Sequence, residues 1–383
     1  MGETVIVTGA RAPVAHDIAR SLRAYGCEVH FADCAHAWVA RALRPEFPVH
    51  RLPPPRTAFG EFRRELLRLL DKTSATRIIP TCEEVFWLAE AAKRDGFENA
   101  VFAPPPETLR QLHSKAEFVQ LAQEAGLLVP ETQVLDRPIS ATEFAAPEEL
   151  VFKPEYSRFA THTLIGPTAK QVLKIQPDED CRWVAQQRIE GDELCSWSAV
   201  HGGKVTAFAA YRPRWRSGNS AAFQLESVES PALYDASTKI AAATGLSGHL
   251  SFDAICDHSG ETYLIECNPR AVSGLHLFDG DASMASAILG ERACDAPPLG
   301  TLRHMGPAMA LIGVPMAIKN GQLKQLRSGW RASRDVIDRE GNPLVTLACL
   351  ADAAGFTLLA LRNSLSPAAA TTSDIEWNGG PIG

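Results

Sequence analysis

Three oxygen-bearing side chains, Asp253, Glu266 and Asn268, lie on two predicted strands around the turn Asp257-His258-Ser259-Gly260. Successive strand residues point to opposite faces, so either two-residue loop within that turn puts Asp253 and Glu266 on one face. Asn268 shares this face if the second strand continues. Carboxylates so placed lie within about 5 to 8 Å of each other and repel unless a cation neutralises them. The pattern predicts a site for a hard cation such as Mg²⁺.

The alternative is an exposed strand face on which solvated acids are neighbours by chance. A three-residue loop would put Glu266 on the face opposite Asp253, so strand parity alone leaves both interpretations open.

Cationic side chains occur at two places that could serve an anionic ligand. Lys153 follows the predicted strand Leu150-Val-Phe, where an ammonium group can neutralise phosphate as a point charge, although a lone surface lysine is equally ordinary. Arg212, Arg214 and Arg216 follow another strand and indicate carboxylate or phosphate binding, with a solvated basic loop as the alternative.

The run Glu266-Cys-Asn268-Pro-Arg270, 13 residues after Asp253, resembles the metal-binding signature of the ATP-grasp superfamily. The resemblance covers roughly residues 5 to 278 and follows the family's chain order. Its further motifs are His113-Ser-Lys-Ala-Glu-Phe, Pro130-Glu-Thr, Lys153-Pro154 and the stretch from Trp183 to Glu193.

The resemblance implies a role for each matching residue. Metal binding falls to Asp253, Glu266 and Asn268, and phosphate binding to Lys115 and Lys153. Gln186 is expected at the adenine edge, the backbone near Arg188 and Ile189 at the ring, Glu193 at the ribose hydroxyls, and Arg270 at the phosphoryl group being transferred. The implied cofactors are ATP and Mg²⁺, with two magnesium ions expected and Mn²⁺ as an alternative.

One segment departs from the family pattern. Many members carry a glycine-rich loop after the second lysine, whereas this chain has no glycine between Lys153 and Gly166. Side-chain donors from Ser157, Arg158 and Thr161 would have to replace free backbone N–H groups.

The acceptor side is predicted from isolated residues. Gly274 could bring backbone N–H groups close to an acyl intermediate, and His276 is a candidate substrate contact, although a lone histidine is more often structural. Thr81 and Glu84 follow a strand of the first domain and could reach a shared cleft from its carboxyl edge.

A dinucleotide-binding first domain is a rival interpretation, because Gly9 opens a strand-turn-helix and Asp33 follows the next strand. The turn is not GxGxxG, since Arg11 stands at the second glycine and would crowd a pyrophosphate. Tight NAD binding by that domain would favour a nicotinamide-dependent oxidoreductase.

The elements alternate as βαβ over the first hundred residues, which predicts a parallel, Rossmann-like sheet. Strands and hairpins dominate from Leu150 onward. The predicted fold class is α/β and α+β. With the family resemblance, it implies a Rossmann-like domain (1–105), a two-lobed ATP-grasp domain (106–288) and a C-terminal extension (289–383) with a mobile tail.

Composition limits the function classes. The 383 residues carry a net charge of −7, which argues against general nucleic-acid or membrane-surface binding. Nine singly spaced cysteines, no recognisable signal peptide and no run of 18 apolar residues predict a cytoplasmic protein with reduced thiols.

The resemblance implies an ATP-dependent ligase that joins a small carboxylate to an amine, with amino acids among the candidates, through an acyl phosphate. A homodimer is compatible with it. A bicarbonate-activating carboxylase or carbamoyl-phosphate-like enzyme, and a non-catalytic nucleotide-binding protein, are the alternatives.

Overall fold

The computed structural model describes residues 2–43, 46–140, 143–157, 162–216, 222–338 and 341–383. Its strands are β1 Thr4–Thr8, β2 Glu28–Asp33, β3 Val49–Arg51, β4 Arg77–Ile79, β5 Thr132–Leu135, β6 Leu150–Pro154, β7 Leu164–Ile165, β8 Trp183–Gln187, β9 Gly191–His201, β10 Lys204–Trp215, β11 Gln224–Val228, β12 Gly248–Asp257, β13 Thr262–Asn268, β14 Leu302–His304 and β15 Arg334–Asp335.

The α-helices are α1 Pro13–Tyr25, α2 Trp38–Ala42, α3 Phe59–Thr73, α4 Glu84–Asp95, α5 Pro106–His113, α6 Lys115–Glu124, α7 Ala169–Val172, α8 Pro231–Thr244, α9 Ala282–Ile288, α10 Gly306–Ala308, α11 Val314–Lys319, α12 Leu323–Ala332, α13 Pro343–Asn363 and α14 Pro367–Ala370. Short 3₁₀ segments cover Glu98–Ala100, Pro147–Glu149 and Ser273–Phe278, and a π-helical segment covers Met309–Gly313.

The first sheet is parallel, in the order β3-β2-β1-β4. Its central strand β1 is apolar and buried, as strands of a parallel sheet covered on both faces must be. The helix α1 begins with a proline at its first turn and ends at Gly26, whose φ of 101° suits a residue without Cβ. The carboxyl ends of these strands meet at one edge, which faces the rest of the molecule.

A small antiparallel sheet, in the order β5-β8-β6-β7, forms the next layer. One face packs Leu135, Phe152 and Ala185 into a core of its own. Because side chains alternate along a strand, Lys153 and Gln186 lie on the other face.

The largest sheet has seven strands in the order β13-β12-β9-β10-β11-β14-β15, and its neighbours are antiparallel except β14 with β15. Phe252, Leu250 and Leu264 pack beneath α8 on one face. The other face carries Asp253 and its cross-strand neighbours and turns toward the first domain.

The C-terminal segment returns to the first domain, which corrects the predicted mobile tail. Ile375 and Trp377 are buried, the Trp87 indole N–H donates to the Ile375 carbonyl at 2.9 Å, and the Trp377 ring stacks on Phe86. Asp374 accepts from Arg11 at 2.6 Å. The tail is therefore part of the packed fold.

The helix α13 is a second correction. Among the described residues it is the one helix long and apolar enough to cross a membrane, with a mean hydropathy of 2.0 over 18 residues. The sequence prediction missed it because Asp352 interrupts the apolar run.

Candidate functional site

The β12–β13 hairpin places Asp253 and Glu266 directly opposite each other, but by a route that differs from the prediction. Cys256 pairs with Thr262, so the connection between the two strands is longer than a two-residue loop. If the register of that pair continued unbroken along the strands, Glu266 would face the core beneath α8. A β-bulge at Ile265 shifts the register by one residue and returns Glu266 to the face of Asp253. The bulge is therefore what assembles the acidic pair.

The third predicted metal ligand joins this pair through a hydrogen bond. Asn268 is partnered with Ser251, on the same face, and its amide N–H donates to Asp253 Oδ2 at 3.2 Å. Two carboxylates and one side-chain amide thus converge at one point of the sheet, with the amide nitrogen toward Asp253 and the amide oxygen toward Arg270.

The charges of the pair are strongly perturbed. Burial and the neighbouring Glu266 carboxylate raise the pKa of Asp253. Burial also acts to raise the pKa of Glu266, but the Lys115 and Lys153 ammonium groups outweigh it and hold the pKa below its usual range. Glu266 is therefore ionised at neutral pH beside an acid that burial discourages from ionising, an arrangement that a bound cation would relieve.

Both predicted phosphate lysines reach this acidic pair. Lys115 is almost fully buried, with Nζ 3.5 Å from Glu266 Oε2 and 3.1 Å from the Ser157 carbonyl oxygen. Lys153 donates to the Ile265 carbonyl at 3.3 Å, at the bulge itself, and burial lowers its pKa to about 8. Two buried lysines and two half-buried carboxyl groups are thus held together at one place.

Glu155, buried where the family has its glycine-rich loop, ties the two lysine-bearing segments together. Its carboxylate accepts from the Ser114 hydroxyl and from Arg182 Nε at 2.8 Å, and its carbonyl accepts from the Lys115 backbone N–H at 3.4 Å. A side-chain anchor therefore stands in place of glycine here. Arg158 and Thr161, the predicted side-chain donors, lie outside the described residues.

Arg270 links the metal-ligand set to the first domain. Its Nε donates to Glu83 Oε1 at 2.8 Å and its Nη2 donates to Asn268 Oδ1 at 3.2 Å. Glu83 is 2% exposed at the start of α4, at the carboxyl edge of the parallel sheet. The guanidinium is thus held beside the predicted metal site by a residue of another domain.

The predicted adenine segment connects β8 to β9. The Gln186 side chain is buried on the face of Lys153 and donates to Thr132 Oγ1 at 3.0 Å. The Arg188 backbone N–H donates to the Glu149 carbonyl at 2.8 Å, and Ile189 follows it. Glu193 lies two residues before Cys195, the partner of Asp253, and pairs with Arg216. Gln186 thus lies on the sheet face that carries Lys153. Glu193 lies on the sheet face that carries Asp253.

The predicted arginine cluster is divided between the two faces of the sheet. Tyr211 pairs with Cys195 on the face of Asp253, so Arg212 points to the opposite face, where its Nη2 lies 3.6 Å from Asp192 Oδ2. Arg214 pairs with Glu226, the cross-strand partner of Arg212. Arg212 therefore does not face the acidic pair, and substrate binding by Arg212 and Arg214 stays a prediction.

For His276 the structure favours the alternative interpretation, a structural histidine, over a substrate contact. Its side chain has no exposed surface, and Nδ1 lies 2.7 Å from Asp17 Oδ2 of α1. This histidine ties the 3₁₀ segment to α1. Gly274 serves packing, since a Cβ there would lie 2.8 Å from the Tyr211 ring and 3.0 Å from Trp197 Cβ. The role of its backbone N–H stays a prediction.

Glu84 is buried at the edge of the parallel sheet, where it accepts from the Thr8 hydroxyl at 2.7 Å and from the Thr81 N–H at 3.1 Å. Glu83 contacts the ATP-grasp site instead. The structure also argues against the alternative of a dinucleotide site in the first domain. Arg11 donates hydrogen bonds to Asp33 from its backbone N–H and its side chain, so the carboxylate that would bind a ribose hydroxyl is already occupied.

The sequence interpretation missed Ser114, Glu83 and Glu155. A signal for Ser114 existed, because Ser114 and Glu117 have capping-box spacing and the Ser114 hydroxyl accepts from the Glu117 N–H at 3.1 Å. Glu83 and Glu155 carried no local signal, since their partners are 187 and 27 residues away in the chain.

The donor set fits a hard divalent cation. Within the described parts of the chain no three His, Cys, Asp or Glu side chains gather as a metal cluster, so the predicted set is two carboxylates with the Asn268 amide oxygen. Such oxygen donors suit Mg²⁺, which keeps further positions for water and substrate phosphate.

Residues 112–274 match the family model of the ATP-grasp domain, so this part of the chain is an ATP-grasp domain. No curated protein matches the chain. The match to residues 112–274 confirms the predicted resemblance over that segment.

Solved structures similar to this chain have the same fold. The L-amino acid ligase of Bacillus licheniformis is 15% identical with a TM-score of 0.55, covering 72% of this chain and 68% of its own. The N5-carboxyaminoimidazole synthetase of Staphylococcus aureus with ADP is 14% identical with a TM-score of 0.62, covering 84% of this chain and 87% of its own. The biotin carboxylase domain of the Hydrogenobacter thermophilus 2-oxoglutarate carboxylase, with MgADP, ADP and bicarbonate, is 14% identical with a TM-score of 0.58. The match covers 79% of this chain and 73% of that chain. At these identities the likeness establishes the fold alone.

Proposed function

We propose that the chain is an ATP-dependent carboxylate–amine ligase that forms an amide through an acyl phosphate and releases ADP and phosphate. The observation that carries this proposal is the convergence of Asp253, Glu266 and Asn268 with two buried lysines and Arg270. Phosphoryl transfer depends on positioning and charge neutralisation rather than on a protein nucleophile, and these groups supply both.

The proposed division of labour follows the geometry. Asp253, Glu266 and Asn268 would hold Mg²⁺, with two ions proposed, which would neutralise charge on the phosphates when bound. Lys115 and Lys153 bind the phosphates. The remaining nucleotide contacts in this proposal are the Gln186 side chain, the backbone at Arg188 and Ile189, and the Glu193 carboxylate.

In the reaction, an oxygen of the substrate carboxylate attacks the γ phosphorus and the bond to ADP breaks. Arg270 faces the negative charge that develops on the transferred group. The amine then attacks the acyl carbon, the C–O bond to phosphate breaks, and the amine loses a proton. One carboxylate oxygen therefore leaves in the phosphate.

The three-part division at residues 105/106 and 288/289 belongs to the same proposal. The parallel sheet is the Rossmann-like domain, and its edge residues Glu83 and Glu84 border the acceptor side of the cleft. The proposed cytoplasmic setting agrees with nine cysteines that are all unpaired in the structure.

A screen of ADP release against pairs of small carboxylates and amines, including amino acids, tests the reaction, with mass spectrometry of the products. An ¹⁸O-labelled carboxylate should transfer one label to phosphate. ADP release that needs bicarbonate and no other carboxylate would instead establish the carboxylase alternative and contradict the proposal.

Glu266→Gln and Lys153→Ala should each reduce Mg²⁺-dependent ADP formation at least about a hundredfold, because the first removes a carboxylate proposed to hold Mg²⁺ and the second an ammonium group proposed to bind the phosphates. Glu261→Gln and Lys170→Ala are matched controls, since both side chains are exposed in the same two lobes. Wild-type turnover in either test variant would rule out the assigned site.

A further inference from the structure

The exposed apolar side chains of this protein concentrate at its C-terminal end. Among the described residues, 11 of the 19 large exposed hydrophobic side chains follow Pro298, and five of these are leucines of α13. These leucines are between 41% and 75% exposed. A contiguous apolar face of this kind marks an interaction surface.

The inner side of α13 is fixed to the first domain. Asp352, the one charged residue between Pro343 and Leu361, accepts from the backbone N–H groups of Trp38 and Val39, each at 3.0 Å. Val345 and Ala360 are buried near the two ends of the helix. These contacts at the middle and near both ends of α13 hold it against the fold, which argues against a membrane-spanning role. The helix also lacks the basic polar face of a helix that lies on a membrane.

The outer side of α13 has the spacing of a coiled-coil seam. Apolar residues recur at alternating intervals of three and four, which is the pattern of a and d positions in heptads. We call this set the seam: Leu344, Leu347, Ala351, Ala354, Leu358 and Leu361.

The order of large and small side chains along the seam is the same from either end. In an antiparallel pair, Leu344 meets Leu361 of the second helix, Leu347 meets Leu358, and Ala351 meets Ala354. Large side chains thus face large ones at both ends and small ones meet in the middle. A surface that matches its own reverse is what a twofold, isologous contact requires.

Gly355 is a second, independent observation. It stands in the middle of α13, where glycine disfavours a helix, yet a Cβ at this position would have no neighbour within 4 Å among the described residues. The packing of a single chain therefore gives no reason for glycine here. Close approach of another helix beside Ala351 and Ala354 would supply one.

We propose that α13 pairs antiparallel with α13 of a second copy of this chain, forming a twofold dimer through the seam. The dimer does not depend on the proposed ligase activity, so either can fail alone.

Sedimentation velocity of the full chain over a range of concentrations tests the contact. The wild type should dimerise, and Leu347→Glu and Leu358→Glu should each raise the dimer dissociation constant at least about tenfold. Thr346→Glu is the matched control, since Thr346 is exposed on the same helix outside the seam. Circular dichroism and melting curves verify that each variant is folded.

A charge-pair experiment tests the antiparallel register. Leu344→Glu and Leu361→Lys should each weaken the dimer alone, and an equimolar mixture should restore a mixed dimer, because position 344 faces position 361. A parallel pair would leave these positions about 26 Å apart at 1.5 Å per residue. A chain that stays monomeric, a dimer that both Glu variants leave intact, or a mixture that fails to associate would overturn the proposal, as would flotation of the monomer with phosphatidylcholine–phosphatidylglycerol vesicles.

Discussion

At the scale of single residues, the site places two buried lysines beside two half-buried carboxyl groups. Lys153 is 4% exposed, and burial lowers the pKa of its ammonium group to about 8 although the Glu266 and Asp253 carboxylates act in the other direction. A lysine in this state holds its charge only marginally at the upper end of the physiological range. Phosphate placed beside it would favour the charged form.

This leads to a pH dependence of nucleotide binding. Below pH 8, where Lys153 is already protonated, titration of this lysine should change the ADP affinity little. Above pH 8 the affinity should fall by up to about tenfold per pH unit, because Lys153 must then take up a proton when ADP binds. Calorimetry in two buffers of different ionisation enthalpy measures that uptake. Lys170→Ala, at an exposed lysine, should leave the profile unchanged, whereas an affinity that stays flat to pH 10 would contradict the role of Lys153.

Residue types and chain order were enough to predict that Asp253, Glu266, Asn268, Lys115 and Lys153 lie together, because the family's motifs keep these residues at recognisable spacings. The acceptor residues were not predictable in this way. Whether Arg212 or Arg216 faces the site depends on strand parity across a bulge, and the burial of His276 depends on a helix more than 250 residues earlier in the chain.

At the scale of elements, irregular backbone positions the chemistry. The sequence predicted the β12–β13 hairpin and the face shared by its acids, but it could not predict the bulge at Ile265 that makes this arrangement compatible with the longer loop. Neither hydrophobic pattern nor turn residues encode an extra residue within a strand. The bulged carbonyl also receives Lys153, so one irregularity orders both charges.

The segment after β6 depends on Glu155 in a similar way. Glu155→Gln should weaken ADP binding about tenfold, near 1.4 kcal/mol, because the neutral amide holds Arg182 and Ser114 less firmly and Lys115 is then less well positioned. Calorimetric titration with Mg·ADP measures the change. Glu179→Gln, at an exposed carboxylate of the same lobe, is the control. Unchanged affinity in Glu155→Gln would show that the anchor is not needed for the nucleotide.

At the scale of the whole molecule, the two ends of the chain are joined. The Trp377 ring lies 4.9 Å from Phe86 of the first domain and 5.2 Å from Tyr156, which directly follows Glu155. The C-terminal residues therefore connect the parallel sheet to the predicted phosphate-binding segment. Sequence reasoning predicted a mobile tail because its small and polar residues lack periodicity, and only the tertiary contacts reveal its order.

Trp377→Ala should reduce the free energy of unfolding by about 3–5 kcal/mol, the usual cost of removing a large buried aromatic side chain. Chemical denaturation followed by far-UV circular dichroism measures the loss. Leu365→Ala removes an exposed side chain of the same segment and should change stability by less than about 0.5 kcal/mol. Equal stability of the two variants would mean that the tail does not contribute to the fold.

Mg²⁺-dependent ADP binding by the purified full chain is the most direct test of the account, because it needs no knowledge of the carboxylate or the amine. Removing Mg²⁺ should weaken ADP binding to the wild type at least about tenfold, since the ion neutralises charge between phosphate and carboxylates. In Glu266→Gln, with an unchanged melting temperature, the affinity should be low with or without Mg²⁺. A variant that keeps the full magnesium dependence of the wild type would contradict the assignment of the metal site.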